Sequence, residues 1–298
     1  MTVFNDYNKI IININPELNV RGFPYITREG LSLMIRVFVA GACGKMGLET
    51  VKTILDQKDM KLVGASDIKN QGTDLGEILG MTPLGIQITG QLSSDLLKKL
   101  AVDIMVDFTN PQSVFTNAKE AIEAGTVPVI GATGLDDQEI AELEDLAKEN
   151  STGVFIAPNF ALGAILMMKF AREAAKYFSH VDIIEYHHDN KLDAPSGTAL
   201  KTAEMISEIR KPLTQGHPNE YEKIPGARGG NFNGIHIHSV RLPGMIAHQE
   251  VIYGGDGQTL TIRHDAYTRE TFMPGVMLAI RKAYKLKDFI IGLENFLD

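Results

Sequence analysis

A chain of 298 residues with 44% hydrophobic and 22% charged side chains has an ordinary globular composition, long enough for one large domain or two smaller ones that each bury a core. Its formal net charge of -8 excludes a broadly basic surface for nucleic acid or anionic membrane, so any bound anion needs a local cationic pocket or a helix N-terminus. The single cysteine, Cys43, excludes an internal disulfide framework and suits a reducing, cytoplasmic setting, and no apolar run reaches the length of a membrane span.

Residues 1–33 carry Asp6, Glu17 and Glu29 beside Lys9, Arg21 and Arg28. Without a continuous apolar core, and with acidic residues present, they fit neither a secretory signal nor a transit peptide. Residues 9–14 have the makings of a short strand, but the segment as a whole reads as an extension before the fold.

The first strong element is the apolar, β-branched run 35–40, followed at once by Gly41-Ala42-Cys43-Gly44-Lys45-Met46-Gly47 and by helical spacing through Val51, Ile54 and Leu55. Strand, glycine turn and helix in that order are the setting of a dinucleotide fingerprint. Glycine is needed at the tight turn, where backbone approaches a pyrophosphate, and where helix packs on strand. Two residues separate each glycine pair here, a departure from the commonest spacing. The next strand, 61–66, ends at Asp67, placed to accept hydrogen bonds from adenosine ribose hydroxyls. Asp67 disfavours a 2′-phosphate, while Lys45 and Lys69 favour one, so NADH and NADPH both stay open. Alternation continues with strand 103–108, helix 112–124, strand 127–130, helix 136–149 and strand 153–157. It predicts a parallel sheet with helices on both faces, ligand at the strands' carboxyl ends. Three loops fall there: Phe108-Thr109, Gly131-Ala132-Thr133-Gly134 and Ala157-Pro158-Asn159-Phe160. Each also suits plain turn chemistry.

Asn159 and Phe160 mark a hinge. A helix is predicted over 162–178, with Met167 and Met168 as core filler, then a strand over 181–186 and a helix over 199–210. A loop over 211–233 rich in Pro, Gly and charge follows; loops of that length usually serve a site or an interface. Strands are predicted at 235–240, 247–253 and 259–266, making an open mixed sheet whose exposed edge and face favour self-association. The last helix is placed at 271–286. His236, His238, His248 and His264 fall on strands or strand ends and read as structural.

Between the strand at 181–186 and the helix at 199 runs Glu185-Tyr186-His187-His188-Asp189-Asn190-Lys191-Leu192-Asp193-Ala194-Pro195-Ser196-Gly197-Thr198-Ala199. His187, His188 and Lys191 are expected on the loop leaving the strand, where scaffolds place catalytic groups. Ser196, Gly197 and Thr198 stand at a helix start whose hydroxyls and N–H groups suit a carboxylate or phosphate. Taken singly, the histidines could be structural and the Ser-Gly-Thr run only a turn and an N-cap. One cysteine and no helical histidine pair argue against zinc, and no metal is expected.

The whole string resembles the signature of the 4-hydroxy-tetrahydrodipicolinate reductase (dihydrodipicolinate reductase) family: Glu, any, His-His, two variable residues, Lys, any, Asp-Ala-Pro-Ser-Gly-Thr-Ala. The resemblance spans roughly residues 34–298. It implies a Rossmann-like dinucleotide-binding domain with a parallel sheet over 34–158, completed by 268–298. A second α+β domain with an open mixed sheet, over 159–267, would bind substrate and form a homotetramer. Members typically begin just before the first strand, which makes 1–33 an extension or an over-extended start. The implied reaction is reduction of 4-hydroxy-tetrahydrodipicolinate to tetrahydrodipicolinate with loss of water, by NADH or NADPH, in the diaminopimelate route to lysine. His187 would protonate the enamine left by hydride addition, supported by Lys191. His188, Lys191, Ser196, Gly197 and Thr198 would hold the carboxylates, and Thr133 would reach the substrate. Gly41 through Gly47, Asp67, Phe108, Thr109, Gly131, Ala132, Thr133, Ala157, Pro158, Asn159 and Phe160 would line the cofactor. Rival readings are another two-domain NAD(P)-dependent reductase acting on homoserine or a semialdehyde, or a nucleotide-binding regulator without catalysis. A thioester-forming enzyme needs a catalytic cysteine, and Cys43 lies in the phosphate loop.

Overall fold

The computed structural model describes residues 34–297; the reading of residues 1–33 as an extension lies outside them. The first half alternates as predicted: β1 (Ile35–Ala40), α1 (Lys45–Leu55), β2 (Met60–Ser66), α2 (Leu75–Ile78), β3 (Ile88–Thr89), α3 (Ser94–Lys99), β4 (Ile104–Asp107), α4 (Val114–Glu123), β5 (Val127–Ile130), α5 (Asp137–Asn150) and β6 (Val154–Ile156), except that α2, β3 and α3 lie where no element was predicted. After it come α6 (Leu162–Ala174), β7 (His180–His187), α7 (Gly197–Ser207), β8 (Gly230–Phe232), β9 (Ile235–Arg241), β10 (Ala247–Gly255), β11 (Gln258–Ala266), α8 (Met273–Ala283) and β12 (Phe289–Ile291).

One sheet has the order β12-β6-β5-β4-β1-β2-β3, with every pairing parallel. Strands β4, β5 and β6 are buried at every position, as expected where helices cover both faces. The chain runs outward in both directions from β1. The switch between β1 and β4 opens a crevice at the strands' carboxyl ends. Strand β12 adds to the β6 edge, and Arg281 on α8 holds Asp59 through two hydrogen bonds of 2.7 and 2.9 Å, so the chain's last segment packs on the first sheet.

The second sheet has the order β11-β10-β7-β9-β8; β7 and β9 run parallel and the other pairs antiparallel, which is the mixed sheet expected. Helices α6 and α7 cover one face, with Ala171, Ile183, Ala203, Ile206, Val251 and Tyr253 in the shared core. Met167 and Met168 are buried as core residues. On the other face Tyr186 donates to Glu250 at 2.6 Å, and Arg263 bonds both Glu250 and Asp265. His238 lies 3.2 Å from Asp182 and His248 2.8 Å from Asp265, so those two histidines serve the sheet.

Several boundaries differ from the predictions for local reasons. Helix α4 starts at Val114, because Asn110 turns the chain by accepting from Gln112 and Ser113. Helix α6 stops at Ala174, and residues 175–177 form a turn. Ser196 caps α7, accepting from the Ala199 N–H at 3.2 Å, and starts it at Gly197. The last helix is shorter than 271–286, with a 3-10 turn over Arg269–Phe272 before α8. The long loop is not structureless throughout, since β8 occupies Gly230–Phe232. Within the rest, Gln215 bonds the β7 backbone at Val181, and Arg228 bonds Glu220.

Candidate active site

Strand β7 is central in its sheet, so alternate side chains point under α6 and α7, and Glu185 is fully buried there. A buried carboxylate must be satisfied, and this one is saturated with donors. Arg241, the last residue of β9 and the parallel neighbour of His187, grips it with Nη1 at 2.8 Å from Oε2 and Nη2 at 2.7 Å from Oε1. Ser196 N–H donates to Oε1 at 3.2 Å, and His187 Nδ1 bonds Oε2. Burial pushes the Glu185 pKa up, but the hydrogen bonds from His187, Arg241 and Ser239 outweigh it and hold the carboxyl at about 2. It is therefore ionised and can only accept, so His187 Nδ1 carries the proton and Nε2 is the free ring atom. Arg241 also donates to the Val240 and Asp193 carbonyls at 2.8 and 2.9 Å, which ties the loop after β7 to the sheet.

His187 therefore closes β7 rather than standing on the loop, because pairing with Arg241 and Ala247 extends the strand to it. His188 and Lys191 do lie beyond the strand. Lys191 Nζ is held by both oxygens of Asp193, at 2.6 and 2.8 Å, and this bond keeps the Asp193 carboxyl below its usual range. The Ser196 N–H donates to Glu185 and its hydroxyl oxygen accepts from the Ala199 N–H, which leaves the hydroxyl's own O–H as a donor. Gly197 is exposed and Thr198 half-buried, and their N–H groups have no partner inside a helix that begins there.

A cavity of about 560 Å³ opens along the carboxyl ends of β1, β2 and β4, lined among others by Gly41, Cys43, Gly44, Asp67, Lys69, Phe108, Thr109 and Asn117. Its floor is shaped for close backbone approach. A Cβ on Gly47 would fall 2.0 Å from the Gly41 carbonyl oxygen, and Gly41 itself has φ +77°. Asp67 takes the Cys43 and Lys69 N–H groups, each at 2.9 Å, and so stiffens the phosphate loop while leaving lone pairs toward the cavity. Burial pushes the Cys43 thiol up, which keeps it protonated and a poor nucleophile.

Not every sequence-selected position reaches this cavity. Ala42, Gly47, Ala157 and Phe160 are buried in the framework; Lys45, Thr133 and Pro158 are exposed; Met46, Gly131 and Ala132 are half-buried. Phe160 packs edge-on to Phe108 with centroids 5.7 Å apart, and a Cβ on Gly131 would meet those two rings at 2.7 and 2.3 Å. Asn159 accepts the Ala161 N–H at 2.8 Å, turning the chain into α6.

Sequence reasoning missed Asp107, Asn117 and Arg241, and gave Glu185 no role. Asp107 is fully buried at the end of β4 and accepts from Thr109 N, Thr109 Oγ1 and Asn117 Nδ2 at 2.7, 2.6 and 2.9 Å. Burial pushes its pKa up against those bonds. An aspartate ending an otherwise apolar strand was the available signal for it; nothing local marks Arg241.

A parallel sheet with a glycine phosphate loop, joined to a second lobe that presents a carboxylate-held histidine beside a helix N-terminus, defines a two-lobed dinucleotide-dependent oxidoreductase architecture. Family models described as dihydrodipicolinate reductase, N-terminus and C-terminus match residues 35–160 and 163–297. The chain belongs to the dihydrodipicolinate reductase family. It is 70% identical over 264 residues to a 4-hydroxy-tetrahydrodipicolinate reductase of Desulfitobacterium hafniense, covering 89% of this chain and 99% of the relative. The relative of the same name in Syntrophomonas wolfei is 54% identical, with 88% and 98% covered. A solved structure described as dipicolinate-bound dihydrodipicolinate reductase from Paenisporosarcina sp. TG-14 superposes with a TM-score of 0.79 at 48% identity, covering 89% of this chain and all of that one. An amine dehydrogenase from Mycobacterium smegmatis, at 16% identity and TM-score 0.59, shares the fold alone.

Proposed function

We propose that this chain reduces 4-hydroxy-tetrahydrodipicolinate to tetrahydrodipicolinate with NADH or NADPH, with loss of water; its relatives' name gives the substrate and the reduction. The observation that carries the reading is the assembly at the end of β7, where His187 is fixed through Nδ1 by Glu185, close in the fold to the start of α7. The phosphate loop, with its glycine approach and the cavity beside Asp67 and Thr109, fits a dinucleotide. Bound there, the dinucleotide supplies the hydride. Loss of the 4-hydroxyl with a neighbouring proton, as water, turns the substrate into a conjugated imine; hydride addition to it leaves an enamine, and a proton must then be delivered. His187 does so from Nε2 as imidazolium, returning to the neutral Nδ1–H form that Glu185 accepts from. Gly197 and Thr198 hold a carboxylate through N–H groups and the Thr198 hydroxyl, with the Ser196 O–H donating beside them. Lys191 exchanges Asp193 for the other carboxylate or the ring nitrogen, and His188 adds a further contact.

Cofactor contacts are assigned to Gly41 through Gly47, Asp67, Phe108, Thr109, the Gly131-Ala132-Thr133 loop and residues 157–160, with Thr133 also reaching substrate. Residues 34–158 with 268–298 form the dinucleotide unit, and 159–267 the substrate and assembly unit. The assembly is a homotetramer and its setting the cytoplasm; the open second sheet supports self-association, and a monomer alone in sedimentation at micromolar concentration would contradict it. The test of the site is His187→Ala. Turnover should fall by about two orders of magnitude, the usual scale of a lost general acid, with NADH affinity retained. Near-wild-type turnover in folded protein would refute the assignment.

A further inference from the structure

The carboxylate behind His187 is surrounded by donors: His187 Nδ1 and Arg241 Nη1 on Oε2, Arg241 Nη2 and Ser196 N–H on Oε1, with the Ser239 hydroxyl also bonding it. Apart from the Ser239 hydroxyl, nothing in that shell accepts, so an acceptor-only group suits both oxygens, and its side chain is 0% exposed. We propose that Glu185 is a positioning residue for the reduction: it fixes the tautomer and ring plane of His187, and Arg241 fixes Glu185. The proposal rests on the role given to His187 above and extends it.

The physical reason lies in what each oxygen can do. A neutral imidazole has one N–H and one lone pair, and the partner of one nitrogen decides which atom the other presents. Held by an ionised carboxylate, Nδ1 keeps its proton through the whole cycle. Only Nε2 gains and loses one, so proton delivery needs no ring flip. Arg241 makes the arrangement rigid because its planar fork fills both carboxylate oxygens at once. The same guanidinium holds the Asp193 carbonyl, so the histidine and the loop carrying Lys191 share one anchor. A glutamine at 185 cannot replace this. Whichever way its amide turns, an NH₂ faces two donors, and when that NH₂ faces Nδ1 the ring must take the Nε2–H tautomer.

The test begins on the unmodified protein. Nitrogen NMR of labelled histidine, with His187 assigned by its loss in His187→Ala, should show the neutral ring protonated at Nδ1; an Nε2–H neutral ring would overturn the proposal. Glu185→Gln should then lower kcat by about tenfold or more with KM changed less than about threefold. In a His187→Ala background the same change should cost less than about twofold further, because a residue that acts through another loses its effect when that one is gone. Equal losses in both backgrounds would mean a general structural role and refute it. Where Glu185→Gln does not fold, the tautomer measured in the unmodified protein decides. A fully active His187→Ala would remove the functional reading itself, an outcome distinct from an impaired His187→Ala paired with an unaffected Glu185→Gln.

Discussion

Gly47→Ala should weaken NADH binding through the backbone alone. The added Cβ would stand 2.0 Å from the Gly41 carbonyl oxygen and 2.8 Å from Ala42 Cα, whereas unstrained contacts lie near 3.4 Å or beyond. The loop must therefore withdraw by roughly 1 Å or more, on the scale of overpacked sites. It is not free to do so: Gly41 and Ala42 N–H groups are bonded to the Ser66 carbonyl at 2.9 and 3.1 Å, and Cys43 N–H to Asp67 at 2.9 Å. Overpacking of this kind costs about 1–3 kcal/mol. Charged to the binding-competent loop, that is about a 5- to 150-fold loss of affinity. Global stability should fall less, because alanine regains about 1 kcal/mol of helix propensity. The assay is NADH titration by fluorescence beside a thermal melt. Gly197→Ala is the control, since a Cβ there meets nothing within 4 Å, and it should leave NADH affinity unchanged. Wild-type NADH affinity in Gly47→Ala would refute the claim that the loop is rigid and cradles the pyrophosphate.

Removal of residues 1–33 should leave activity and assembly intact, checked by kinetics and sedimentation of the protein begun at Met34; loss of soluble folding would contradict it. Asp67→Ala should weaken NADH and relieve the penalty on NADPH, read as the ratio of the two KM values, and no change in that ratio would remove the ribose assignment. Acid should expose the Glu185 anchor. Its folded pKa of about 2 lies below the ordinary 4.5, so its stabilisation is complete above about 4.5 and is lost as pH falls through about 2. The shift corresponds to about 3 kcal/mol, and a denaturation series should show Glu185→Gln flattening the acid limb.

The long apolar strands and the glycine turn were legible because β1 and α1 each repeat their period enough times to be read, and the glycines at 41, 44 and 47 have a single shared use. Elements such as α2, β3, β8 and β12, of two to four residues, show no period at all and exist only because neighbours receive them. The site divides in the same way. His187, Ser196, Gly197 and Thr198 lie in one string and could be found together. Arg241 could not, since it stands 56 residues from Glu185 and reaches it only through the parallel register of β7 with β9. Asp107 and Asn117 meet because a strand end and a helix face each other across a turn. The pairing of Lys191 with Asp193, two residues on, is local, yet nothing in the string marks it.

The most direct measurement is oxidation of NADH by the purified chain, followed by absorbance, with freshly generated 4-hydroxy-tetrahydrodipicolinate. The site predicts substrate-dependent oxidation, with competition by dipicolinate, a planar dicarboxylate carrying the same two anionic groups. Oxidation driven equally by homoserine-derived or other semialdehyde substrates, or NADH binding without any turnover on the dicarboxylate, would contradict it.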